Sequence, residues 1–152
     1  MTILAIDPGT TQSGWVLFGP QGVVDSGVHD NHDVLQWVKA GQGADTLAIE
    51  MIAGMGMTVG QSTFETVRWI GRFQQAWRDP EAVRLIYRRE VKLHVCGDSR
   101  AKDPNIRQAL LDIVGPQGVK KAPGPTYGVS SHAWSALAVA ATVLGLQPKR
   151  AA

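Results

Sequence analysis

Two short apolar runs in this chain each end on an acid: Ile3-Leu4-Ala5-Ile6 closes on Asp7, and Leu47-Ala48-Ile49 closes on Glu50. Such runs read as buried strands, and a carboxylate at the end of one is penalised by desolvation unless a positive charge compensates. A divalent cation is the natural compensator, because hard cations take carboxylate oxygens as ligands. Paired acids of this kind suit metal-centred chemistry on phosphates. Pro8-Gly9-Thr10-Thr11 then form a tight turn whose amides and hydroxyls can approach a phosphate, although an acid there also makes ordinary turn hydrogen bonds. A further donor, His132, falls on the first turn of an Ala-rich helix, where a histidine in isolation mostly caps or packs.

The elements that must position these groups follow an α/β order. Strands are expected over 2–7, 14–18 and 23–28, joined by Gly, Pro, Ser and Gln turns short enough to make an antiparallel meander. A helix over 33–39 leads to the strand that ends on Glu50. Residues 51–62 hold three Met and three Gly without a period and read as a mobile loop. Phe64, Val67, Ile70, Phe73 and Trp77, with Trp69 widening the stripe, predict a helix over 63–78 that Asp79-Pro80 ends. A strand over 83–87 and a short helix over 89–96, closed by Gly97, come next. Asp103 as N-cap with Pro104 at the first helical position opens a helix to Val114, and a Gly/Pro/Lys loop over 115–128 precedes the closing helix over 131–144. This order predicts an α/β domain with a mixed five-stranded sheet, three antiparallel strands and then parallel ones, flanked by helices. Asp7 and Glu50 stand side by side if their strands are neighbours.

The length of 152 residues fits one compact domain, 1–152, and the 44% hydrophobic and 18% charged composition excludes extensive disorder. The single Cys96 excludes an internal disulfide and a multi-cysteine zinc site, which points to a reducing setting. No signal peptide precedes the first strand and no apolar run reaches the roughly 20 residues of a membrane helix, so a cytoplasmic location without membrane contact is expected. The net charge of +2 hides an asymmetry: twelve of the fifteen Lys and Arg residues lie between Arg68 and Lys121, whereas the first third holds only Lys39. A basic half joined to an acidic site is what a nucleic-acid enzyme needs, although charge alone also fits a solvated surface.

Four segments carry a resemblance. Leu4-Ala5-Ile6-Asp7-Pro8-Gly9, Ala48-Ile49-Glu50, Arg88-Arg89-Glu90-Val91-Lys92 and His132-x-x-Ser135-Ala136-Leu137-Ala138 resemble, in order over nearly the whole chain, the RuvC-type Holliday-junction resolvases of the ribonuclease H-like nuclease superfamily. The short chain and the Lys121-Ala122-Pro123-Gly124-Pro125-Thr126-Tyr127-Gly128 loop are similar to the small, phage-encoded branch.

The resemblance implies a ribonuclease H-like fold and a metal-dependent, structure-selective DNA endonuclease that resolves four-way junctions by paired symmetric nicks. It implies two Mg²⁺ or Mn²⁺ ions, a homodimer, and a bacterial or phage-infected cell. Asp7 would bridge the metals, Glu50 would hold one, and His132 would match the first ligand position of the closing helix. The chain departs from the family at Ser135, which stands where a second acid is usual, and a hydroxyl is a poorer ligand than a carboxylate. His132 is expected to take over that role, with Asp103 or Asp98 as substitutes reaching in from a loop. Met55 and Met57, after the glutamate strand, would wedge into the junction centre or else pack under the sheet. Arg88, Arg89, Lys92, Arg100, Lys102, Arg107, Lys120 and Lys121 would contact phosphates, with Lys102 and Lys121 nearest the active face. The Phe64, Val67, Ile70, Phe73 and Trp77 stripe would be the dimer surface. Two other readings share these residues: a junction-binding module that no longer cuts, and an actin- or sugar-kinase-like nucleotide-binding domain, whose opening turn is similar but which needs two such domains.

Overall fold

Alternation along the first strand decides the layout of the molecule. In the computed structural model, which describes residues 1–148, β1 (Ile3–Asp7) sends Ile3 and Ala5 to one face and Leu4 and Ile6 to the other, all of them buried. A strand apolar on both faces belongs inside a sheet covered on both sides. β1 accordingly lies in the middle of the order β3-β2-β1-β4-β5, with β2 (Gln12–Gly19), β3 (Gly22–Asp30), β4 (Thr46–Met51) and β5 (Arg84–Tyr87). The first three strands are antiparallel, and β4 and β5 are parallel to β1, as the short and long connections require. The expected domain 1–152 extends over residues 149–152, which lie outside those described.

Each face has its own core. Leu4, Ile6, Leu47 and Ile49 pack against α1 (Asn31–Ala40) and α2 (Gln61–Ala76). Ile3, Ala5, Ala48 and Ile86 pack against α3 (Arg88–Cys96), α4 (Asp103–Val114) and α5 (Ala133–Val143). Because side chains alternate, Asp7 follows Ile3 and Ala5, and Glu50 follows Ala48, onto the α5 side. The pairing Ile6↔Ile49 puts Asp7 and Glu50 at neighbouring positions of adjacent strands.

Several sequence expectations are corrected. Ile70, Phe73 and Trp77, expected on a dimer surface, are at most 3% exposed and belong to the α2-side core. A helical stripe facing a sheet has the same period as one facing a second chain, so spacing could not separate them. Trp77 is also the residue after α2 rather than part of it. Asp103 is not an N-cap: Lys102 holds that position, its N–H donating to the Asn105 side chain at 3.0 Å, and Asp103 is the first helical residue. His132 is the N-cap residue of α5, before the first turn rather than on it. The expected loop over 115–128 contains a small hairpin, β6 (Gly118–Val119) with β7 (Ala122–Pro123), pinned by the buried Thr126 hydroxyl donating to the Gly115 carbonyl at 2.9 Å. A 3₁₀ turn, Pro80–Ala82, stands between α2 and β5. Among the described residues, no helix is long and apolar enough to cross a membrane.

Candidate active site

The ends of β1 and β4 and the start of α5 enclose one cavity of about 280 Å³, lined by Asp7, Gly9, Gln12, Glu50, Arg88, Asp103, His132 and Ser135. The acids get there by two routes. Asp7 and Glu50 come from strand parity, whereas Asp103 comes from the first turn of α4. His132 arrives because α5 lies directly on β1 and β2, and Gly14 of β2 makes this possible. A Cβ at Gly14 would stand 2.7 Å from the His132 Cβ and closer still to its backbone carbonyl.

The loop after Asp7 is tied down by a buried polar network. Asn31, fully buried, donates from Nδ2 to the Gly9 carbonyl at 2.9 Å and accepts from the Ser13 hydroxyl at 2.5 Å. The Gly9 N–H donates to Ser13 Oγ at 3.3 Å. Buried polar groups are retained only when paired, so this triangle fixes the exit direction of β1 and hence the Asp7 carboxylate. Sequence reasoning missed Ser13 and Asn31. The only signal was their polarity beside apolar runs, and their partners lie up to 22 positions away.

The carboxylates are electrostatically strained. The Asp7 and Glu50 side chains are 16% and 12% exposed. Burial pushes the Glu50 carboxyl up to about 7, the nearby Asp7 charge adds to the rise, and Arg88 opposes it. Asp7 is raised by burial too, with His132 and then Arg88 lowering it. His132 Nδ1 stands 3.1 Å from Asp7 Oδ2. Arg88 Nη1 is 3.6 Å from Glu50 Oε1, and its Nη2 pairs with Asp103 Oδ1. Glu50 Oε2 is buried without a hydrogen-bond partner. A buried, partnerless carboxylate oxygen beside a second carboxylate is suited to a divalent cation, and these two acids would hold one. Among the described residues, no three His, Cys, Asp or Glu side chains stand close enough to ligate one ion together, so the pair is the nucleus of the site and not a complete cage.

The remaining expected residues divide clearly. Ser135 lines the cavity, as does Asp103; Asp98 does not, and its carboxylate instead accepts from the Arg100 N–H at 2.8 Å. Arg88, expected as a free phosphate contact, bridges Glu50 and Asp103. Arg107 lies over the Trp134 ring at 5.1 Å. Met55 and Met57 are 81% and 78% exposed, so they do not pack under the sheet. Arg89, Lys92 and Arg100 border a second cavity beside the first. Lys102 is exposed at the start of α4, and Lys120 and Lys121 are exposed at the β6–β7 turn. Of the expected dimer stripe, Phe64 and Val67 remain exposed.

A central β1 flanked by an antiparallel meander and parallel strands, with acids at adjacent strand ends under a closing helix, defines a ribonuclease H-like α/β fold. Solved structures match it from end to end. Thermus thermophilus RuvC aligns over 98% of this chain and 100% of its own, with a TM-score of 0.69 and 19% identity. T. thermophilus RuvC in complex with Holliday junction substrate aligns over 98% and 99%, with a TM-score of 0.67 and 20% identity. No family model matches the chain, and no curated protein matches it. The fold of this chain is that of RuvC.

Proposed function

We propose that the chain is a metal-dependent, structure-selective DNA endonuclease that resolves four-way junctions by paired symmetric nicks, working as a homodimer on branched DNA in the cytoplasm. One observation carries this reading: two buried carboxylates, one with a partnerless oxygen, meet at adjacent strand ends in a chain that has the RuvC fold throughout. The solved neighbour bound to a Holliday junction substrate supports branched DNA as the partner.

Mg²⁺ or Mn²⁺, two ions in the full reading, would activate water and stabilise the leaving 3′ oxygen. Asp7 and Glu50 would hold the metal as carboxylates, which requires Glu50 to lose the proton that burial favours. His132 orients Asp7 through the 3.1 Å contact, and its imidazole can add a nitrogen ligand or hold a proton. Arg88 balances the two acids before substrate arrives and can turn to a phosphate oxygen afterwards. Ser135 contributes a hydroxyl, suited to holding a water. Met55 and Met57, exposed after β4, serve as the wedge, and Phe64 and Val67 as the apolar centre of the dimer contact.

Ser135 favours a second reading, a junction-binding module that does not cut. The kinase-like reading has only the opening turn behind it, and there both the N–H and the carbonyl of Gly9 are used internally. The test is cleavage of a labelled four-way junction with Mg²⁺ or Mn²⁺, comparing the native chain with Asp7→Asn and with linear duplex as control. Paired nicks that vanish in the variant are expected. Tight junction binding without nicking would favour the module instead.

A further inference from the structure

β4 and β5 end level with each other, Met51 opposite Tyr87, and the chain leaves both at the edge where the carboxylates stand. Between these exits lies a cavity of about 550 Å³, large enough for a nucleotide. Its walls are of two kinds. Met51, Ile52, Ala53 and Met55 are apolar, and beside them stands Tyr87, a residue 43% exposed. Arg89, Lys92 and Arg100 supply positive charge. Among the described residues, Arg89 and Lys92 have no carboxylate at ion-pair distance, and Arg100, 90% exposed, is only 3.6 Å from Asp98. Glu50 and Arg88 belong to this cavity and to the carboxylate cavity, so whatever fills the second sits directly beside the first.

An aromatic side chain among apolar walls, with cations alongside of which Arg89 and Lys92 have no acidic partner among the described residues, matches one ligand chemistry: a flat base joined to phosphates. Bases stack on aromatic side chains, and arginine or lysine pairs with the backbone that carries them. We propose that this cavity receives one nucleotide extruded from the DNA beside the cut, its base against Tyr87 and its phosphates on Arg89, Lys92 and Arg100. The proposal rests on the nuclease reading and deepens it, because it makes the position of the nick depend on a base that can leave the stack. Extrusion is easiest where pairing and stacking are already interrupted, as at the centre of a four-way junction.

The test is a cycle between protein and DNA variants. Binding of the native chain, Tyr87→Ala and Tyr87→Phe is measured on a four-way junction, intact or with an abasic site at each position in turn around the mapped nick or the junction centre. Tyr87→Ala is expected to bind the intact junction about tenfold more weakly and Tyr87→Phe like the native chain. The penalty should disappear when one particular nucleotide beside the nick is abasic. Lys92→Ala should flatten the salt dependence of binding. Melting temperatures of the variants report folding, Tyr87 being both the last residue of β5 and the N-cap of α3. A Tyr87→Ala penalty that survives every abasic position, the absence of any penalty, or an unchanged salt slope in Lys92→Ala would overturn the proposal while leaving the nuclease reading intact. A native chain that does not prefer a junction to linear duplex would overturn both.

Discussion

α2 and α5 cover opposite faces of one sheet, both are rich in apolar residues, and they are buried in opposite ways. α5 buries eight of its eleven residues, five of them alanines, so it lies close against β1 and β2. α2 buries only Thr66, Trp69, Ile70 and Phe73 and leaves Phe64 and Val67 in solvent. A helix enclosed on all sides cannot shift without disturbing a close-packed core, and α5 therefore holds its N-cap residue, His132, in a fixed place over the acids. A helix buried along one stripe keeps an outer face free for another chain. The small residues of the sequence thus mark the site, and the large exposed ones mark the face proposed for the dimer contact.

The largest effects should come from the enclosed helix. His132→Ala is expected to abolish junction cleavage. Gly14→Ala, which drives a methyl group into the His132 backbone, should lower it by about a hundredfold even where binding survives, because small misplacements of reacting groups are that costly. Native cleavage rates in Gly14→Ala would show that α5 is less tightly seated than its burial indicates.

On α2 the two sides should separate. Phe73→Ala, fully buried, should cost about 3–5 kcal/mol of stability in denaturant unfolding. Phe64→Asp should leave the melting temperature of the monomer unchanged and abolish dimers in analytical ultracentrifugation. A large loss of monomer stability in Phe64→Asp would erase the distinction between the faces.

A pH dependence is expected on the α5 side, through Glu50. Glu50 binds its proton more tightly in the folded protein than at the ordinary 4.5, chiefly because it is buried, with Asp7 and Asp103 adding to the rise and Arg88 opposing it. The unfolded chain therefore releases this proton first, and metal-free stability should fall as pH rises from 4.5 to about 7, then level off. Glu50→Gln should reduce that slope, and Mg²⁺, which needs the ionised acid, should raise the melting temperature more at alkaline than at acidic pH. Phe64→Asp should leave the slope untouched.

Gly71, on the exposed side of α2 with open space around it, offers a finer probe. Gly71→Ala should stabilise the chain by about 1 kcal/mol through helix propensity. A loss instead would mean that a second chain approaches the helix backbone there. Smallest of all should be Ser135→Ala, with cleavage little changed; a large loss there together with an active His132→Ala would reverse the roles assigned to the two residues.

The element order was legible because periods of 2 and 3.6 residues differ plainly, and the Gly97 cap was legible because only glycine sits easily at its φ of 71°. The acids at the ends of β1 and β4 were legible as well, since an acid closing an apolar run needs a reason. Ser13 and Asn31 were not, nor was the Arg88–Asp103 pair, because their partners are remote in sequence and their residue types are common on surfaces.

Local chemistry thus determined the strands, the helices, the carboxylate pair and the basic half of this chain. Tertiary structure alone decided that Ile70, Phe73 and Trp77 belong to the core, that Asp103 and not Asp98 joins the acids, that Arg88 balances them, and that a second cavity opens beside them. The reason is physical: a residue's period and polarity are local properties. Which surface it meets depends on elements whose packing is set by the whole chain.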